Sequence, residues 1–306
     1  MTPLRDIKDI LDLRKLRSEE AKSISLEDYL KTRRGNLMNR IDITFRTLKK
    51  KKQKALVAFV TYGDPTPKMT ERLALGFQKQ GVDLLELGFP FSDPIADGPV
   101  IQRASLRALE RGVTLKDLFR SVRNLRKKGF SLPIVLLSYY NPVFRFGESR
   151  FVTEARASGI DGVVIPDLPV DEASSLLRYG RKRHFHLILL VAPTSDAARR
   201  RWISRCAGGF IYYVSVTGTT GIRKSLPPEL AKDVLSLRQS TRIPVCVGFG
   251  VSTPTEARRI SRFSDGVIVG SAIVRKLEKE MKKDADHRLV ERVGRFVGNF
   301  VKEVHQ

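Results

Sequence analysis

Eight apolar runs, evenly spaced and separated by helix-like stretches, constrain this chain more than any other feature. They are 55–63 "ALVAFVTYG", 82–90 "VDLLELGFP", 133–140 "PIVLLSYY", 162–167 "GVVIPD", 186–193 "HLILLVAP", 210–216 "FIYYVSV", 244–250 "PVCVGFG" and 265–270 "DGVIVG". Most are continuously apolar rather than alternating, as strands are when both faces of a parallel sheet are covered. Between them the apolar residues follow helical spacing: Met69, Leu73 and Phe77 in one segment, and Val293, Phe296, Val297, Phe300 and Val301 in the last. Eight βα units over about 250 residues predict an α/β chain folded as a closed (β/α)8 TIM barrel in a single domain. A doubly wound open sheet is the alternative, and it has less need of eight evenly spaced strands.

Ile41, Phe45 and Leu48 form one face of a short helix ahead of the first strand, suited to plug the barrel bottom. Residues 38–306 are therefore read as the barrel and 1–37 as an N-terminal extension. Two readings of the extension stay open. Thr2 with Pro3, and "SLED" at 25–28, are helix-start signals for two short amphipathic helices. Alternatively, Met38 is the start and 1–37 an upstream segment.

No apolar run approaches the ~20 residues that cross a bilayer, and no secretory or transit signal opens the chain. A cytoplasmic protein without membrane contact is expected. Cys206 and Cys246 have no metal-type spacing and are read as buried thiols of a reducing compartment. The four histidines lie outside every motif below, so no metal site is expected. The formal net charge of +23 comes in scattered clusters such as "KKKKQK" at 49–54 and "RRR" at 199–201. No nucleic-acid motif accompanies them, so nucleic acid is expected to bind only nonspecifically, while anionic small molecules are attracted.

In such barrels chemistry sits at the carboxyl ends of the strands. Glycine-containing ends recur on three consecutive strands: Gly218 and Gly221, then Gly248 and Gly250, then Gly270 with Ser271. Bare glycine backbone can approach an oxyanion, and a helix starting at Ser271 points its N–H groups the same way. A small phosphorylated substrate is expected. Glu86 lies inside an apolar strand, sharing a face with Leu84 and Gly88. Burial disfavours the ionised carboxylate, which suits a proton-transfer group near neutral pH. Asp97 follows in a loop long enough to fold over the mouth. Asp64 and Asp93 precede prolines and read as turn aspartates, and Asp167 as an orienting group.

These motifs carry a family resemblance. "ELGFPFSDPIADGPVIQRAS" resembles the signature of the tryptophan synthase alpha subunit family. "MNRIDITFRTLKKKKQKALVAFVTYGDP", "LLSYYNPVF", "GVVIPDLPVDE", "YYVSVTGTTG", "VGFGVS" and "VGSAIV" resemble the rest of it, in order, over about residues 38–303. The resemblance implies a lyase that splits indole-3-glycerol phosphate into indole and glyceraldehyde 3-phosphate in tryptophan biosynthesis. It implies Glu86 and Asp97 as catalytic, with Phe59 and Tyr212 lining the indole pocket. It implies Gly221, Gly250, Gly270 and Ser271 at the phosphate, and Thr220, in a closing loop at about 216–226, as the residue that orients Asp97. It implies no cofactor for this chain. The implied partner is the tryptophan synthase beta subunit, which carries pyridoxal phosphate and receives indole in an alpha2beta2 heterotetramer. Contact is expected at the proline-rich loop after Glu86 and at "YNPVF". The chain departs from the family pattern in its high charge, its extension, and Thr219, which stands where a larger apolar residue is common. The rival readings are another phosphate-binding barrel lyase or isomerase, or a basic nucleic-acid-binding protein on a retired enzyme scaffold. A Schiff-base aldolase is disfavoured because none of the eight runs holds a lysine.

Overall fold

The computed structural model describes residues 38–214, 229–248, 250–282 and 286–306. The predicted extension at 1–37 lies outside the described residues, as does the closing loop with Thr220 and Gly221. Residues Asn39–Gln306 form one compact unit.

Eight strands close into a barrel in sequence order, each parallel to both neighbours. They are β1 (Ala55–Thr61), β2 (Leu84–Gly88), β3 (Ile134–Leu137), β4 (Gly162–Val164), β5 (His186–Val191), β6 (Ile211–Val214), β7 (Val245–Gly248) and β8 (Gly266–Val269). Every predicted strand is present, and each is shorter than its apolar run. At β3 the run passes beyond the strand toward the mouth. The strand stops at Leu137, and Tyr140–Phe146 turn into a helix whose first amide, that of Tyr140, donates to the Asp167 carboxylate at 2.9 Å. Asp167 is thus an orienting group, as read from the sequence, and acts on that helix.

Strand alternation sorts the core into two sets. Ala55, Val57, Phe59, Leu84, Val135, Ile188, Tyr212, Cys246 and Ile268 fill the barrel interior. Leu56, Ala58, Val60, Leu85 and Leu87 face the helical ring, among them Leu73 and Phe77 of the helix Pro67–Lys79 and Val293 and Phe300 of the helix Asp286–Val304. The helix Arg40–Lys50 closes the bottom as expected: Ile41, Phe45 and Leu48 are buried, and the Phe45 ring lies 5.9 Å from that of Phe210. Local signals set the helix starts. Thr66 accepts from the amide of Met69 with Pro67 first in the helix, and Thr114–Asp117 and Thr253–Glu256 form reciprocal capping boxes.

Three aspartates at the barrel bottom repeat one device. Each directly precedes an even-numbered strand and accepts a backbone N–H at the start of the odd-numbered strand before it. Asp83 takes Leu56 at 2.8 Å, Asp161 takes Ile134 at 2.9 Å, and Asp265 takes Val245 at 3.0 Å. Strand-end amides that would otherwise be unpaired are satisfied in this way. Basic side chains then clamp the carboxylates. Arg40, Arg126 and Arg156 surround Asp161 at 2.8, 3.2 and 3.6 Å, Arg238 binds Asp265 through two nitrogens, and His305 meets Asp83 at 2.9 Å. Part of the chain's positive charge therefore holds the barrel together. Asp64 sits in the turn after β1, as read from the sequence, and is also buried and paired with Arg107 through two contacts of 2.8 Å. Cys206 is half-buried, a correction to the sequence reading; Cys246 is buried, and both thiols are free.

Among the described residues no helix is long and apolar enough to cross a membrane. No group of three or more His, Cys, Asp or Glu among them is placed to hold a metal ion.

Candidate active site

Glu86 sits midway along β2, paired in register with Phe59 of β1 and Val135 of β3, and points into the barrel as alternation predicts. It is 2% exposed, and its Oε1 is buried with no hydrogen-bond partner among the described residues. Burial, with a smaller contribution from the charge of Asp97, raises its pKa from 4.5 to about 8. A carboxyl group with an unsatisfied oxygen in a dry strand is costly to the fold, and such groups concentrate where chemistry uses them.

Asp97 is 7% exposed, at the end of the loop between β2 and the helix Pro99–Leu109. Its backbone carbonyl accepts from the Gln102 side chain at 2.8 Å, fixing the turn into that helix. Burial raises its pKa from 3.8 to about 6, against a hydrogen bond from Tyr139 that favours the ionised form. Both acids thus meet at one mouth, with Asp97 already folded inward.

Tyr139 is the functional residue that sequence reasoning passed over within "SYYN". Its hydroxyl accepts from the amide of Ala96 at 3.0 Å and donates to the Asp97 carboxylate. Its ring stacks on Phe91 at 5.0 Å. One tyrosine therefore pins both ends of the acidic loop. Its own pKa is raised, by burial first and then by the charge of Asp97.

Phe59 and Tyr212 are both buried on inward-facing positions. The Tyr212 pKa is pushed well up, by burial and then by Glu86 and Asp97, so its phenol shares their space. Two glycines make room for these rings. A Cβ on Gly88 would lie 2.6 Å from Phe59 Cζ, and one on Gly248 would lie 2.5 Å from the Tyr212 hydroxyl. Gly248 was expected in the phosphate cradle; its bare Cα instead accommodates Tyr212. Gly248→Ala is expected to displace that ring and lower kcat/KM roughly tenfold to a hundredfold, with the circular dichroism spectrum unchanged. An unchanged kcat/KM would mean that the ring's position does not matter.

The remaining phosphate candidates divide. Gly250 is exposed beyond β7 with a positive φ of 81°, a conformation that favours glycine. Gly270 ends β8 as the N-cap of the helix Ser271–Met281, and no side chain caps that helix. Its first amides stand at the mouth, in the arrangement that suits an anion. Thr220 and Gly221 lie outside the described residues.

Comparison with known proteins agrees with this geometry. The family model described as tryptophan synthase alpha chain matches residues 45–305. The tryptophan synthase alpha chain of Geotalea daltonii is 47% identical over 252 residues, covering 82% of this chain and 95% of that protein. The alpha chain of Thermoanaerobacter pseudethanolicus is 43% identical over 267 residues, covering 87% of this chain and all of its own length, 100%. Among solved structures, the alpha chain of Legionella pneumophila superposes with a TM-score of 0.80 at 37% identity, covering 88% of this chain and 98% of that one. A Mycobacterium tuberculosis tryptophan synthase chain gives 0.79 at 31% identity, covering 88% and 100%. A closed eight-stranded barrel, two buried acids at its mouth and a match along almost the whole barrel converge: the chain belongs to the tryptophan synthase alpha chain family.

Proposed function

We propose that this chain cleaves indole-3-glycerol phosphate into indole and glyceraldehyde 3-phosphate, with Glu86 carrying the proton transfers and Asp97 stabilising the charge that develops on the indole. One observation supports the assignment above the others. Two carboxylates share a buried mouth, and their surroundings set Glu86 to be protonated and Asp97 to be ionised near neutral pH. Protonated Glu86 gives its proton to C3 of the indole. Ionised Asp97 accepts a hydrogen bond from N1–H and offsets the positive charge that the ring acquires. The Glu86 carboxylate then takes the proton of the hydroxyl on the adjoining glycerol carbon. The bond from that carbon to C3 breaks, the carbon becomes the aldehyde, and the bonding pair returns to the ring. Glu86 ends protonated, so the cycle neither gains nor loses a proton.

Tyr139 positions Asp97 in this scheme, and Phe59 and Tyr212 flank the indole. Gly250, Gly270 and Ser271, joined by Gly221, take the phosphate, and Thr220 of the closing loop orients Asp97. The catalytic unit is residues 38–306, with 1–37 an addition to it, and the enzyme works in the cytoplasm. Every step uses side chains of this chain; pyridoxal phosphate belongs to the beta subunit that receives the indole. Ile95 and Phe144 are 68% and 65% exposed on the acidic loop and on the helix after β3, two segments joined by the contact between Ala96 and Tyr139. Exposed apolar side chains beside the mouth suit a docking face for that subunit in an alpha2beta2 assembly.

The pH dependence tests the acid–base assignment. A plot of kcat/KM against pH is expected to rise through about 6 as Asp97 ionises and to fall through about 8 as Glu86 loses its proton. Asp97→Asn is expected to remove the rising limb. A flat profile from about pH 5 to 9 would contradict the assignment.

A further inference from the structure

Among the described residues, one unpartnered buried side-chain oxygen besides Glu86 Oε1 is at the barrel mouth. It is Oγ1 of Thr61, the last residue of β1, which is 2% exposed and has no hydrogen-bond partner among the described residues. Burying a hydroxyl without a partner opposes folding, and valine would fill the same space without that penalty. Packing alone therefore leaves the oxygen unexplained.

Its position supplies an explanation. Ala55, Val57 and Phe59 face the interior, whereas Tyr62 faces outward and bonds Ser121 at 3.1 Å. Alternation thus puts Thr61 on the inner face, one step nearer the mouth than Phe59. On one side β1 pairs with β2, Phe59 opposite Glu86 and Thr61 opposite Gly88. On the other it pairs with β8, Ala58 opposite Val269, and β8 runs directly on to Gly270 and the helix starting at Ser271. Thr61 therefore stands between the proton-transfer carboxyl group and the uncapped helix start. Beneath it lies the Phe59 ring, against which a Cβ on Gly88 would come within 2.6 Å and one on Gly270 within 3.5 Å.

We propose that Thr61 is a substrate-contacting residue, its hydroxyl hydrogen-bonding the hydroxylated carbon chain between the aromatic and phosphate ends of the substrate. The inference rests on the cleavage reading above. Indole held at Glu86 and phosphate held at Ser271 require the linking chain to cross the end of β1. The hydroxyls of that chain meet the one buried hydroxyl there that lacks a partner among the described residues.

Thr61→Val and Thr61→Ser test this in the full chain. The valine variant is expected to lose about tenfold to a hundredfold in kcat/KM, with its Tm unchanged or raised because an unpaired buried hydroxyl has gone. The serine variant restores the hydroxyl and is expected to stay within about threefold of wild type. Glycerol 3-phosphate, a probe with the hydroxyls and phosphate but no ring, is expected to bind the valine variant about tenfold more weakly, while free indole binds both proteins equally. Equal losses in the two variants, or a Tm that falls with activity in the valine variant, would make the role structural and overturn the proposal. So would unchanged glycerol 3-phosphate affinity. A wild-type protein that cleaves nothing would sink the cleavage reading, and the glycerol 3-phosphate comparison would still decide Thr61.

Discussion

Glu86→Gln is expected to lower kcat for indole release by about 10²- to 10⁴-fold, the range that general acid–base catalysis supplies, and toward the upper end because one group serves both proton transfers. The glutamine fits the same space and is neutral, as the protonated carboxyl group is, so the fold and glycerol 3-phosphate affinity are expected to survive. Stability gives a second readout. Burial keeps Glu86 protonated up to about pH 8, against 4.5 ordinarily. Between those values the folded chain holds a proton that the unfolded chain has released. This contribution is complete below pH 4.5 and lost as the pH rises through about 8. The Tm of the glutamine variant relative to wild type is therefore expected to climb across that window. Wild-type activity in the variant, or a Tm difference that does not change with pH, would show that Glu86 is not the buried proton carrier.

Asp161→Ala is expected to destabilise the barrel by about 3–5 kcal/mol, the usual effect of removing one partner from a buried charge cluster. The Asp161 side chain is wholly buried, and its loss leaves Arg40, Arg126 and Arg156 facing one another. Burial first, and then the charges of Arg40 and Arg156, already pull Arg126 down to about 10; Asp161 is the group that opposes them. The amide of Ile134 would also lose its acceptor. For a chain of this size the loss corresponds to a drop in Tm of roughly 5–8 °C. Asp161→Asn keeps an acceptor for that amide and is expected to lose less. Because the cluster lies at the opposite end of the barrel from Glu86, kcat per folded molecule at 25 °C is expected to be unchanged for both variants. A Tm within a degree or so of wild type for Asp161→Ala would remove the cluster from the account of stability.

The parts of this molecule that the sequence reveals are those with a local signature. Strands covered on both faces are continuously apolar, so all eight could be read, and a glutamate inside one of them announced itself by its cost. The inward direction of Glu86 and Phe59 followed from alternation. What was hidden depends on partners distant in sequence. Asp83 and Asp265 look like acids at the edge of an apolar run and Asp161 like a loop acid, and the amides they satisfy lie 27, 27 and 20 residues back. Their shared place just before alternate strands was the available signal. Tyr139 follows the end of β3, beyond the reach of alternation, so nothing local distinguishes its ring from that of Tyr140. Gly248 reads as a phosphate-cradle glycine until the Tyr212 ring occupies its free side. The run 133–140 continues past the strand because Tyr139 and Tyr140 lead into the helix Tyr140–Phe146 while still packing inward, Tyr139 on Phe91 and Tyr140 against the core.

Release of indole from indole-3-glycerol phosphate by the purified protein, with and without a tryptophan synthase beta subunit, tests the central claim most directly. Slow cleavage by the chain alone and a large stimulation by the beta subunit are the predicted result. Well-folded protein that releases no indole in either condition would contradict it.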